Sequence, residues 1–510
     1  MSDVVNDAAE PSKVGHEEGL NLSFAAGGTV APVETDLLRA HAFAALATLL
    51  ASAVFGTVVA IKLVHPEFLG GQAWSTWGSM RASHTQGILF GWLGNAFLTF
   101  LYFAIPRLAG RPVTSRKLGW LLFVLWNFAM LLPGWALLAA NLPQPLLAIK
   151  PLEWTEFPLA INMVTQLCLL LSAVQFIVPL ARKPNTDGFY VSSWYVIGGL
   201  VFTLLAFPMG SVVPQLVPGA IGAAFSGLWI HDAVGLFVTP MALAIAYYVF
   251  PVRTGRPIYS HFLSMIGFWL LFFVYPLNGT HHFVYSSIPM DTQRAAIAAS
   301  VVLGFDVILV VLNLFMSLRG HAALVARDVP LRFVWTGIVF YLVVSLQGSM
   351  QAIMSIQRHV HFTDWVIGHS HLAMLGFASF VALGGVAHAW ERTAACRCHA
   401  GYMNLAYWLI LCGLLIMVVD LTAAGLVQGE LWNSGAPWMD SVRASQGYWW
   451  VRVTSAVPLI LGFGSFLVGM LARTRHRSGA SNRAPSNAIA NMTANMTANM
   501  SVPVLHAAHD

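Results

Sequence analysis

Apolar residues run along this chain in stretches of twenty or more, separated by short polar connections. A helix needs about 20 apolar residues to cross a bilayer. Twelve stretches qualify, at 39–64, 83–106, 117–141, 156–182, 192–215, 226–251, 258–281, 294–318, 331–357, 363–392, 403–427 and 447–472. No connection between them is long enough to form a second domain. The pattern predicts an all-α polytopic membrane protein, a bundle of about twelve transmembrane helices filling residues 38–475. Residues 1–37 carry several acids, two prolines and no apolar core, so they read as a disordered cytoplasmic tail and not as a signal peptide. Residues 476–510 contain the low-complexity repeat ANMTANMTANMS and read as a second cytoplasmic tail.

Composition supports the membrane reading. Hydrophobic residues make up 57% of the 510 residues and charged residues 9%, against about 25% charged in soluble domains. The net charge of +5 does not signal nucleic-acid binding, because Lys and Arg gather in loops for topological reasons. Connections after spans 2, 4, 6, 8 and 10 hold Arg107, Arg111, Arg116, Lys117, Arg182, Lys183, Arg253, Arg256, Arg319, Arg327, Arg332, Arg392 and Arg397. The alternate connections hold little beyond Arg81, Lys150, Arg294, Arg358 and Arg443. The asymmetry places both termini in the cytoplasm. Four cysteines make no disulfide framework, and Cys396-Arg397-Cys398-His399 lacks the spacer of C-x-x-C-H, so no covalently attached haem is expected.

The chemistry lies in the histidines. Of 18, six fall within or at the edge of spans: His84, His231, His281, His282, His369 and His371. Polar groups in a membrane are costly and mark function. Given the alternating direction of the spans, all six fall in the outer third of the bilayer. Independent packing histidines have no reason to share a depth, whereas metal ligands do. His369 and His371 differ by about 200° around a helix, so they serve separate partners on opposite flanks. Haem iron suits such a pair. His231, His281 and His282 then form a possible three-histidine site suited to copper. His84 could be the opposite axial ligand of a haem reached by His369 or His371. Tyr275 lies seven residues before His282, on nearly the same face of an α-helix and about 10 Å along its axis, which puts a phenol beneath the metal pair.

Four stretches carry a resemblance: MRASHTQGILFGWLGNA (80–96), IHDAVGLF (230–237), RPIYSHFLSMIGFWLLFFVYPLNGTHHFVYSSIP (256–289) and TDWVIGHSHLAMLG (363–376). Together they resemble the catalytic subunit I of the haem–copper oxygen reductases, within it the cbb₃-type (C-family) cytochrome c oxidases, over the whole twelve-helix region. The resemblance implies two haems b and one copper ion. His84 and His371 would bind the low-spin haem, His369 the high-spin haem, and His231, His281 and His282 the copper. Arg81 would pair with haem propionates. Tyr275 matches a tyrosine cross-linked to the span-6 copper histidine, here His231. The implied reaction is four-electron reduction of O₂ to water, with a phenol supplying one electron, coupled to proton translocation. Membrane-anchored c-type cytochrome subunits would deliver the electrons, in a bacterial inner membrane.

Gly235, four residues after His231, separates the relatives. Other oxygen reductases carry the cross-linked tyrosine there, and nitric oxide reductases a glutamate that helps bind iron. Glycine offers neither, which favours the C-family oxidase over nitric oxide reductase, the alternative with the same fold. The chain departs from the family at Asp232 for asparagine, Thr280 for proline, and Gln347-Gly348-Ser349 for Glu-Gly-Pro. Ser260 and Ser264 share a stripe of span 7 with Tyr275, interrupted by Phe268 and Leu271. Tyr247 and Tyr341 match tyrosines of the family's single proton channel. Asp306, mid-way along span 8, is an acid with no partner evident in the sequence.

Overall fold

The computed structural model describes residues 31–183, 189–393 and 397–472. Most of the two terminal tails, and Cys396, lie outside the described residues. Among the described residues, twelve helices are long and apolar enough to cross a membrane: Thr35–Val64, Trp77–Ala109, Arg116–Ala140, Leu159–Ala181, Val191–Leu216, Gly219–Thr254, His261–Phe283, Met290–Ser317, Val329–Gln351, Asp364–Thr393, Ala400–Asn433 and Trp438–Leu471. They are spans 1–12 in chain order. Each matches one expected stretch. Spans 2, 6, 11 and 12 extend several residues further, because polar turns can stay helical beyond the apolar window.

Three spans form the centre. The most apolar window of spans 2, 6 and 10 is 94% buried, against 39–61% in the other nine. These three touch one another and are ringed by the rest. The ring turns apolar side chains outward, among them Phe262, Phe273, Phe305, Val419 and Leu205. Such a surface is stable only against hydrocarbon. Four of the six histidines ride on the enclosed trio.

Two departures from regular α-helix shape the site. Spans 2, 6 and 10 each widen into π-helical turns, at Gly87–Gly94, Ala233–Val238 and Leu372–Ser379. Each begins within three residues of a histidine: His84, His231 or His371. Such wide turns recur at functional sites. Span 7 departs from the continuous α-helix on which the Tyr275–His282 register was reckoned. Its α-helix ends at Val274, and Tyr275–Leu277 and Gly279–Phe283 are tight 3₁₀ turns. Pro276 is the physical reason, since it has no N–H to continue the ladder. Tyr275 and His282 are therefore related by tight 3₁₀ turns, not by α-helical periodicity.

Candidate active site

The side chains of His231, His281 and His282 converge. One ring nitrogen from each lies within 4.8 Å of the others. His231 Nδ1 is 3.3 Å from His282 Nε2. His231 Nε2 is buried without a partner. Buried ring nitrogens are almost always satisfied, so three convergent imidazoles, one of them with an unpartnered nitrogen, fit a metal ion. His281 Nδ1 lies 2.6 Å from Ser300 Oγ, an outer contact that orients a ligand ring.

Tyr275 stacks on His231, with ring centroids 4.2 Å apart and planes at 18°. The tyrosine ring fills the space that a side chain at 235 would need. A Cβ built on Gly235 would lie 1.6 Å from Tyr275 Cε1. The glycine and the tyrosine thus explain each other.

These four residues and His369 line one cavity of about 180 Å³. A second cavity, of about 330 Å³, lies on the other flank of span 10 and is lined by His84, His371, Arg81 and Arg452. Ser370, between the two histidines, borders both. The opposed directions expected of His369 and His371 are realised.

In the second cavity the His84 and His371 rings are nearly parallel, at 24°, with centroids 6.2 Å apart. That gap is too wide for ring contact and admits a metal between two nitrogens at about 2 Å each. Each Nδ1 is already engaged, His84 with Ser52 O at 2.7 Å and His371 with Ile367 O at 2.8 Å. A donated Nδ1–H leaves Nε2 as the free acceptor, the arrangement typical of metal-binding histidines. Gly56 makes room for this ring: a Cβ there would lie 2.7 Å from His84. In the first cavity, His369 Nδ1 bonds Gln347 Oε1 at 2.9 Å. The residue that replaces the family's glutamate still orients that histidine. Both donor sets fit iron held by imidazole.

Arg81 reaches the rim of the second cavity but is ion-paired with Glu153 and Glu156, each at 3.3 Å. Glu156, in the connection between spans 3 and 4, also accepts from Thr85 at 3.0 Å and Gln86 at 2.5 Å. Burial raises its carboxyl above the ordinary value, while Arg81 and Gln86 pull the other way. Arg452 of span 12, not singled out in the sequence, is the second guanidinium at this cavity, 3.6 Å from Asp364.

The residues expected to pass protons are partly joined. Ser264 Oγ donates to Ser260 O at 3.0 Å and accepts from Asn313 Nδ2 at 2.8 Å. The Ser260 hydroxyl caps span 7 by accepting from Leu263 N–H at 3.2 Å. Tyr247 is fully buried beside Ser264 and Asn313, without a well-formed hydrogen bond from its hydroxyl. Tyr341 faces the first cavity. Asn313 and Tyr195, which stacks on Tyr247 at 5.6 Å, join this group from spans 8 and 5. The one signal in the residues that could have found Asn313 is its spacing of seven from Asp306.

Comparison with known proteins decides the family. Residues 36–458 match the family model described as cytochrome c and quinol oxidase polypeptide I. The chain belongs to that family. This polypeptide I is 28% identical to the cbb3-type cytochrome c oxidase subunit CcoN1 of Stutzerimonas stutzeri, over 82% of its length and 88% of the relative's. It is 27% identical to the bacteroid cytochrome c oxidase subunit 1 homolog of Bradyrhizobium diazoefficiens, over 85% and 80%. A nitric oxide reductase polypeptide of Stutzerimonas stutzeri is more distant, at 23% over 84% and 93%. A solved haem–copper terminal oxidase dimer shares the fold of this polypeptide I with a TM-score of 0.66 at 15% identity, covering 90% of this chain and 88% of that one.

Proposed function

We propose that this chain is the catalytic subunit of a terminal respiratory oxidase of the cbb₃ type, reducing O₂ to water with electrons from c-type cytochromes and coupling this to proton translocation. The observation that carries the reading is the pair of cavities on either flank of span 10. His371 faces His84 in one, and His369 shares the other with three convergent histidines and Tyr275.

His84 and His371 would hold one haem b, the low-spin one, His369 would hold a second, the high-spin one, and His231, His281 and His282 would hold copper. These groups, when bound, supply the redox chemistry that O₂ reduction needs. The chain positions and insulates. Ile367 O and Ser52 O fix two ring orientations, Gln347 a third and Ser300 a fourth. Stacking on His231 holds Tyr275 at the edge of the copper site, where its phenol can yield a proton and an electron. Arg81 and Arg452, at the lining of the second cavity, would balance the charge of the haem carboxylates there. Protons rise through Ser264, Tyr247 and Tyr341 from the cytoplasmic face, on which both termini lie in this reading. Membrane-anchored c-type cytochrome subunits deliver the electrons, and the 38–475 bundle is the catalytic domain between two tails. Nitric oxide reductase chemistry is the weaker reading, because Tyr275 occupies the room a metal-binding glutamate at 235 would need.

The test is O₂ and nitric oxide consumption by the purified complex supplied with reduced cytochrome c. Rapid O₂ uptake accompanied by proton release supports the reading. Nitric oxide turnover without O₂ turnover overturns it.

A further inference from the structure

Asp306 is the acid that the oxidase reading leaves without a task. It lies mid-way along span 8 with no exposed surface. Neither carboxyl oxygen has a hydrogen-bond partner. A structural aspartate in a membrane helix is hydrogen-bonded or paired, because an orphaned carboxylate is expensive there. Asp306 instead borders the cavity of His231, His282, His369 and Tyr275. Glu153, ion-paired with Arg81, is the other acid on that wall among the described residues.

Its location coincides with the interruption in span 7. Between Ser264 and Tyr275, span 7 presents Gly267, Phe268 and Leu271 and no hydroxyl. Gly267 has no side chain, and Asp306 Oδ1 lies 3.4 Å from where a Cβ there would be. The Tyr195 hydroxyl lies 3.7 Å from the same point. Asp306 thus reaches into the gap from the neighbouring helix. Asn313, seven residues further along span 8, sits on the same face about 10 Å away by helix rise. Asn313 holds Ser264. On the other side, Tyr341 is within electrostatic reach of Asp306, Tyr247 and Tyr275 together. The titratable groups around the carboxyl are therefore Tyr195, Tyr247 and Tyr341, from spans 5, 6 and 9. The cavity has room for several waters at about 10–15 Å³ each.

We propose that Asp306 carries protons across this gap, as a carboxylic acid that discharges into the catalytic cavity and is refilled from the Ser264–Asn313 side. The proposal rests on the oxidase reading. The carboxyl O–H bond breaks as an O–H bond forms on the Tyr275 oxygen, once that phenol has given up its own proton. A proton arriving past Ser264 and Asn313 remakes the acid. The side chain ends neutral, and no electron moves through it. Asp306 also restores to the cavity a carboxyl that Gln347 lacks, on a different helix.

The experiment compares the parent complex with Asp306→Asn and Asp306→Glu, each purified with its partner subunits. Infrared difference spectra between oxidised and reduced protein read the carboxyl directly and do not depend on turnover. We expect a protonated-carboxyl C=O band that shifts in D₂O, vanishes in Asp306→Asn and moves in Asp306→Glu. Stopped-flow proton uptake should slow about 100-fold or more in Asp306→Asn, the lower end of what a lost proton-transfer group costs, and recover largely in Asp306→Glu. Haem spectra should stay unchanged in both variants. A carboxyl band that survives Asp306→Asn, or proton uptake at the parent rate in that variant, overturns the proposal. A parent complex with no O₂ turnover overturns the oxidase reading instead, and the infrared band still decides whether Asp306 holds an exchangeable proton.

Discussion

Gly235→Ala adds one methyl group at the most crowded point of the site. The new Cβ would lie 1.6 Å from Tyr275 Cε1 and 1.8 Å from Cζ. Ordinary contact begins at 3.4 Å, so the ring must retreat by 3.4 − 1.6 = 1.8 Å, or span 6 must bend by as much. Overpacking of this kind costs about 1–3 kcal/mol, which a twelve-helix bundle survives. Catalysis is less tolerant, since a displacement near 1 Å can cost about 100-fold when a reacting group loses its position. The ring that moves is stacked at 4.2 Å on His231. The expected outcome is a complex that assembles with normal low-spin haem absorption, because His84 and His371 lie across span 10, and whose O₂ turnover falls about 100-fold or more. The assay is O₂ uptake on the purified variant, with haem content measured on the same sample. Turnover within threefold of the parent would refute the argument that Tyr275 works from the place Gly235 leaves for it.

Three further outcomes follow from the same geometry. His371→Ala removes one of the two facing imidazoles, so the low-spin haem spectrum should disappear while CO still binds at the His369 site; both are read by difference spectroscopy. Gln347→Ala deletes the acceptor on His369 Nδ1, a hydrogen bond of about 1 kcal/mol, so the potential of the CO-binding haem should rise by roughly 40 mV at 59 mV per tenfold, measured by redox titration. Glu156 should make the protein less stable as pH rises: burial lifts its folded carboxyl above the ordinary 4.5, so the folded state holds a proton that the unfolded chain has lost, and stability falls across the window from 4.5 upward to the raised value. Glu156→Gln should flatten that fall in thermal melts of detergent-solubilised complex taken between pH 4 and about 8.

The twelve spans were legible because hydropathy over twenty residues is a local signal. The two flanks of span 10 were legible too, since 200° between His369 and His371 follows from helix pitch alone. What escaped was set by contacts between helices. Gly56, which admits the His84 ring, looks like an ordinary helix glycine until the neighbour is placed. The same holds for Asn313, whose partner Ser264 is 49 residues away in the chain, and for Arg452, which meets Asp364 from span 12. The 3₁₀ turns after Val274 were signalled by Pro276, but helical arithmetic carried past it. That arithmetic placed Tyr275 below the histidines through an α-helical register that the 3₁₀ turns replace. The wide turns after His84, His231 and His371 leave no mark in residue type.

The measurement that tests the account most directly is a reduced-minus-oxidised and CO-difference spectrum of the purified complex, paired with copper and iron analysis of the same sample and assigned to this chain. The account predicts two haems b in this chain, one of which binds CO, and one copper. A single haem, or two haems with iron in place of copper, would contradict it.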